Sequence, residues 1–252
     1  HTYIHINTLI NMFQPINVII NADDLGYHRL RDDAIIKAKR DGLVTSASLM
    51  VNGKSARSAV KLAKSANLSM VLHLNITEGS PISPAGKVKS LIQHESKYFL
   101  GKQGFWDAAR QNKIQKDDVI TETVAQIEKF KELVGVYPTH VDGHQHAHIA
   151  NGLPQILAPI FHKYDIKSTR IPREVVVSST AKSFYKEVVR HAEIALPIYN
   201  LNNILTTTFF IGLRIMGAKM TCENIIQATR ETCLREQALI SNSTTTTKTT
   251  DN

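Results

Sequence analysis

Asp23 and Asp24 stand side by side where an apolar, β-branched run, "INVII", gives way to "NADDLG". A turn or a helix cap uses one acid. Two acids where a strand meets a loop point to a cation and a base. His73 ends a second such run, "LSMVLHLNIT", and a third segment, "HVDGHQHAH", places His140, Asp142, His144, His146 and His148 at alternate positions. A divalent cation takes carboxylate and imidazole ligands and keeps an open position when it is catalytic. Asp24, His73 and one histidine of the alternating run supply that set, which leaves Asp23 free to accept a proton from water.

Geometry restricts this reading. Adjacent strand residues face opposite ways, so Asp23 and Asp24 reach one site only if the backbone turns at the strand exit, and "DDLG" supplies a turn. The alternating histidines share one parity, yet alternate strand positions lie about 6.6–6.8 Å apart. Three in a row cannot share an ion without a bend, which Gly143 is expected to permit. His144 is then the expected ligand. His146 or His148 is a substrate contact or a support behind a ligand, and Asp142 orients an imidazole.

These residues need elements to carry them. Strands are expected at "INVIINADD", "LVTSASLMVNG", "LSMVLHLNIT", "YPTHVDGHQ" and "IKSTRIPRE". Helices are expected at "RLRDDAIIKAKRDG", with Ala34, Ile35 and Ala38 as its apolar stripe, and at "SARSAVKLAKSAN" and "GLPQILAPIFHKYD". Two more are "KDDVITETVAQIEKFKELVG", capped by Asp117 or Asp118, and "TCENIIQATRETCLREQAL", capped by Thr221. The stretch from Glu78 to Trp106 has no clean period and reads as a long loop. Strands alternating with helices predict an α/β fold with a parallel sheet, in which functional groups collect at the carboxyl ends of strands. Asp23–Asp24, His73 and Asp142–His144 all fall there.

Composition narrows the class. The chain has 252 residues, 42% of them hydrophobic, enough for one domain with a large core. No run of about 18 apolar residues marks a membrane span, and no signal peptide is evident at the start. The expected organisation is a single domain over 12–240, a leader over 1–11 upstream of Met12, and a disordered Ser/Thr tail over 241–252. Cys222 and Cys233 are too few for a disulfide framework and fit a reducing compartment, the cytoplasm. The net charge is +8, but the basic residues lie at helical spacing beside apolar ones, with no aromatic stacking platform. Nucleic acid is therefore not an expected partner.

"NADDLG", "GLVTSASLMVNG", "LHLNITEG", "PTHVDGHQHAHI" and "RIPRE", in this order, resemble the YdjC-like carbohydrate deacetylases. The resemblance is strong over about residues 16–175. It implies a distorted (β/α) barrel of the glycoside hydrolase/deacetylase type, one divalent metal ion (magnesium or zinc), and hydrolysis of an N-acetyl group on an amino sugar or short oligosaccharide. By that resemblance Asp24, His73 and His144 hold the metal, Asp23 is the base, and Arg170 steers the base. Asn75 and Glu78, in "LHLNITEG", are substrate contacts or supports of the ligands. Ligand softness favours zinc, cobalt or manganese over magnesium. The expected partners are a small carbohydrate and a second copy of the chain in a homodimer, with no membrane.

The family usually carries a His-Pro-Gly motif whose histidine resembles a general acid, and this chain has none. The barrel is therefore expected to be incomplete at its C-terminal side, with His146 or His148 the remaining candidates for the acid. Two other functions fit the same residues. One is a metal- and sugar-binding relative without turnover. The other is a different metal-dependent hydrolase, against which stands the lack of a glycine-rich phosphate cradle.

Overall fold

The computed structural model describes residues 17–174, 183–215 and 221–246. The expected leader over 1–11 and the last residues of the expected tail, 247–252, lie outside them. Six strands form one sheet in sequential order, every neighbouring pair parallel: β1 (Asn21–Leu25), β2 (Ser46–Leu49), β3 (Ser69–Leu74), β4 (His140–Gly143), β5 (Ser168–Thr169) and β6 (Leu205–Thr206). Seven α-helices accompany them among the described residues: α1 (Arg29–Arg40), α2 (Ala56–Ser65), α3 (Gly101–Arg110), α4 (Lys116–Val134), α5 (Leu153–Lys163), α6 (Ser183–Leu201) and α7 (Cys222–Thr246). Sequential parallel order is the winding of a (β/α) barrel rather than of a doubly wound sheet, whose order reverses.

Side-chain contacts show that the sheet is rolled. Asp23 in β1 and Arg170, just after β5, are four strand spacings apart, about 19 Å in a flat sheet. Their side chains nonetheless meet at 2.7 Å and 2.9 Å. Ser48 of β2 likewise donates to Asp142 of β4 across β3, at 2.7 Å. The helices supply the outer core, with Ile35 and Ile36 from α1, Ala59, Val60 and Ala63 from α2, Ile127 and Phe130 from α4, and Leu157 and Phe161 from α5 all buried.

Local details depart from expectation at β1, α1, α4 and α3. β1 begins at Asn21, not at Ile16, and Val18, Ile19 and Ile20 are 61%, 70% and 51% exposed. Among the described residues no strand pairs with the free side of β1. The buried face of α1 is Asp32, Ile35 and Ile36 rather than Ala34, Ile35 and Ala38, because Asp32 Oδ1 accepts the Gly26 N–H at 2.6 Å. Helix α4 starts after Gln115 without a side-chain cap, since Asp118 instead accepts the Ser90 N–H at 2.7 Å. Gly135 closes that helix at φ +101°, its N–H bonded to Lys131 O, a left-handed position that suits glycine. Trp106 lies inside α3 rather than in a loop, and two short 3₁₀ turns, Ala85–Lys87 and Lys89–Leu91, order the segment before it. Thr221 does cap α7, accepting the Asn224 N–H at 3.2 Å. The helix continues through Thr246, past the expected start of the tail at Ser241. No helix among the described residues is long and apolar enough to cross a membrane.

Candidate metal and catalytic centre

Asp23 and Asp24 reach one site because β1 carries an extra residue. Its register with β2 runs Asn21↔Ser46 and Ala22↔Ala47, then Leu25↔Leu49, so three steps on β1 answer two on β2. Asp24 takes up the difference at φ +66°, a conformation that aspartate tolerates better than most residues. This bulge is the turn that "DDLG" predicts, and bulges of this kind commonly re-aim side chains beside active sites.

The histidine segment is re-aimed differently from expectation. β4 stops at Gly143, and His144–Ile149 forms a 3₁₀ segment with Gln145 at φ 52° and His146 at φ 60°. The bend therefore sits at Gln145 and His146. Gly143 is itself extended, at φ −119°. Its small size serves a close approach, because a Cβ there would lie 2.4 Å from His148 Nδ1. His144, His146 and His148 consequently do not share a face.

Three of the expected ligands converge. Asp24, His73 and His144 offer one carboxylate oxygen and two imidazole nitrogens, all within 4.8 Å of one another. Asp24 Oδ1 lies 2.9 Å from His144 Nδ1 and 3.2 Å from His73 Nε2. It is buried, yet neither approach has hydrogen-bond geometry. Arg31 Nη1 holds the other oxygen, Oδ2, at 2.5 Å. A buried oxygen facing two nitrogens without a hydrogen bond is what a carboxylate–imidazole ligand set looks like, and two nitrogens with one oxygen suit a borderline cation. The residues present thus fit a divalent metal ion.

The groups around the triad fix it. His73 and Asp142 are paired across β3 and β4, and Nδ1 meets Asp142 Oδ1 at 2.5 Å. Burial opposes charge on His73, but Asp142, Asp24 and Asp23 outweigh it and push the imidazole up to about 10. Burial would raise Asp142, and Arg170 and His73 hold it well below the usual carboxylate range. Burial would also raise Asp24, yet His144 and His73 keep it low. Arg170 donates to both oxygens of Asp23 and lies 3.4 Å from Asp142 Oδ2. Asn21 Nδ2 also donates to Asp23, at 2.8 Å.

The remaining expected site residues fall at the edge. Asn75 is buried and ties its own loop to Asn52. Its Oδ1 accepts the N–H groups of Thr77 and Glu78, and its Nδ2 donates to Glu78 O and to Asn52 Oδ1. Glu78 Oε2 meets His144 Nε2 at 3.0 Å. His146 packs edge-on against Phe210, and burial beside Arg170 holds it well below the usual histidine value. His148 donates Nε2–H to Arg170 O at 2.6 Å and is fully buried. Neither imidazole is placed as the proton donor expected in lieu of the His-Pro-Gly histidine, because both are buried and kept neutral and His148 is already committed to a carbonyl.

Burial brings His148 down to about 4, from an ordinary 6.5. The unfolded chain therefore takes up this proton first, and the stability present above pH 6.5 is lost as pH falls toward 4. The slope is at most about 1.4 kcal/mol per pH unit. His148→Gln keeps a donor but cannot titrate. Its stability deficit against the unsubstituted chain is expected to shrink between about pH 7 and about pH 4.5 in urea unfolding. A deficit that stays constant would show that His148 is not held neutral.

Sequence reasoning missed several contributors. Tyr27 donates to Glu78 Oε1 at 2.8 Å, and Gln145 Nε2 donates to Oε2 at 3.2 Å. Glu122 and Gln126, buried on α4, grip the loop after β3: Glu122 accepts from Ile82 N and Ser83 N, and Gln126 bonds both the N–H and the C=O of Asn75. Their i, i+4 spacing on one helix face was the available signal.

Fold and site together define an α/β protein with a carboxylate–imidazole centre at the carboxyl ends of a rolled parallel sheet. Residues 17–243 match the YdjC-like protein family, and the chain belongs to it. It is 36% identical over 220 residues to the carbohydrate deacetylase of Mus musculus, covering 85% of this chain and 71% of that one. With the chitooligosaccharide deacetylase of Proteus mirabilis (strain HI4320) it shares 35% identity over 142 residues, covering 56% of this chain and 53% of the relative. A crystal structure of an Enterococcus faecalis V583 protein assigned to cellobiose-phosphate cleavage superposes with a TM-score of 0.66 at 26% identity, covering 84% of this chain and 74% of that one.

Proposed function

We propose that this protein is a carbohydrate deacetylase that hydrolyses the N-acetyl group of an acetylated amino sugar or short oligosaccharide with the help of one divalent cation. The observation that carries this reading is the convergence of Asp24, His73 and His144 within 4.8 Å, with the Asp23 carboxylate beside them. The deacetylases among its relatives support the substrate class. A cation held by Asp24, His73 and His144 would polarise the acetyl carbonyl and make water a better nucleophile near neutral pH. Asp23 receives the proton that water loses on attacking the amide carbon and returns it to the sugar nitrogen as the C–N bond breaks, so that acetate and the free amine leave. Arg170 and Asn21 hold both Asp23 oxygens and so set the direction from which the proton arrives. Asp142 holds Nδ1 of His73 and keeps Nε2 turned to the site. The free thiols Cys222 and Cys233 support a cytoplasmic setting.

The test is acetate release from N-acetylglucosamine oligomers by chelated protein re-supplied with zinc, cobalt, manganese or magnesium. Release is expected to need the cation and to disappear in Asp24→Ala together with cation binding. Tight binding of cation and sugar without release would establish the non-catalytic relative instead.

A further inference from the structure

Each imidazole of the triad has a carboxylate on its far nitrogen, and the two are mirror cases. His73 gives Nδ1 to Asp142 and turns Nε2 to Asp24. His144 gives Nε2 to Glu78 and turns Nδ1 to Asp24. We propose that Glu78 is the positioning residue of His144, fixing the proton on Nε2 so that His144 ligates through Nδ1 while His73 ligates through Nε2. This rests on the metal site of the proposed function.

The two carboxylates select the tautomers of the two imidazoles. A neutral imidazole has one N–H and one lone pair. An ionised carboxylate only accepts, so the nitrogen facing Glu78 must carry the proton. The lone pair is then left on Nδ1, 2.9 Å from Asp24 Oδ1. When a cation displaces the proton that the surrounding carboxylates otherwise hold on His73, the same logic at Asp142 leaves the lone pair of His73 on Nε2. Two lone pairs and a carboxylate oxygen then converge on the position such a cation would take. Glu78 cannot itself join Asp24 and His73 around that cation through the same His144 nitrogen, because it sits across the imidazole ring.

The surroundings show that Glu78 is held for this task. Its other oxygen accepts from Tyr27 Oη, and Gln145 Nε2 shares the oxygen that meets His144. Its backbone is bonded in both directions by Asn75. Asn75 is in turn bonded in both directions by Gln126, at 3.0 Å and 2.6 Å, and Gln126 donates to Glu122 at 2.8 Å. The loop bearing Glu78 is therefore tied through buried groups to α4. Both Glu78 oxygens are engaged, although the side chain is 40% exposed.

The experiment measures zinc affinity by chelator competition, and the cobalt absorption spectrum, for the full chain and for Glu78→Ala, Glu78→Asp and Glu78→Gln. Glu78→Ala, and Glu78→Asp with its shorter reach, are expected to weaken zinc binding about 10–100-fold and to shift the cobalt bands. Glu78→Gln, whose amide oxygen still accepts the Nε2 proton, is expected to recover part of both. If Glu78→Ala fails to fold, Glu78→Asp carries the comparison. Unsubstituted affinity and spectrum in Glu78→Ala or Glu78→Asp overturn the inference, and so does a Glu78→Gln variant no better than either. If the unsubstituted chain binds neither metal, this inference and the proposed metal site fall together. If Glu78 proves neutral while cation-dependent acetate release persists, only this inference falls.

Discussion

The Asp23→Asn variant is expected to release acetate about 10²–10⁴-fold more slowly than the unsubstituted chain, with cation binding unchanged. The two neighbouring acids separate cleanly in the structure. Asp24 turns a buried oxygen toward two imidazole nitrogens, whereas Asp23 faces Arg170 and Asn21 and takes no part in the ligand cluster. Asparagine keeps the shape and one acceptor oxygen but cannot take a proton. The loss should therefore fall on turnover and not on metal affinity, and measuring both on one preparation decides the matter. If metal affinity falls as well, Asp23 is a ligand and not the base. If turnover is unchanged, the proton goes elsewhere and the proposed mechanism is wrong. The expected contrast is Asp24→Ala, in which binding and turnover vanish together.

How far this site was legible in the sequence can be judged residue by residue. The run-then-acid pattern at Asp23–Asp24 and the apolar run ending at His73 predict that these residues lie at the carboxyl ends of strands, and the structure has them there. The need for a turn in "DDLG" followed from strand parity alone, and the bulge at Asp24 provides it. Parity misled at "HVDGHQHAH" for a physical reason. It holds only while the strand continues, and β4 ends after four residues. Backbone freedom is the property the sequence predicts for Gly143, yet in the structure it is the missing Cβ under His148 that counts. β6, Leu205–Thr206, has two residues, too few to show a period. Glu122 and Gln126 escaped because an apolar-stripe reading assigns polar positions to solvent. Both are fully buried, bonded to loop backbone that no local pattern brings near them.

Arg170 makes the strongest prediction about the fold itself. Its side chain is 10% exposed and its guanidinium lies between Asp23 and Asp142, the latter's side chain 1% exposed. Removing one member of a buried ion pair leaves the other charge desolvated without compensation, which costs about 3–5 kcal/mol. Asp142 keeps Ser48 and His73 as partners, so Arg170→Met is expected to lower stability by at most about that amount in urea unfolding near neutral pH. The cost arises mainly at Asp142, because Asp23 is 39% exposed and retains solvent. It follows that Asp142→Asn introduced into the Arg170→Met chain should restore part of the loss, although Asp142→Asn alone disturbs His73. A double variant less stable than Arg170→Met would mean that Arg170 acts through packing, for instance against the Phe210 ring 5.4 Å away, and not through the buried carboxylate. Arg170→Lys separates the two roles further. A single ammonium can offset the charge of Asp142 but cannot present two parallel N–H groups to Asp23, so stability should return in part while turnover stays low.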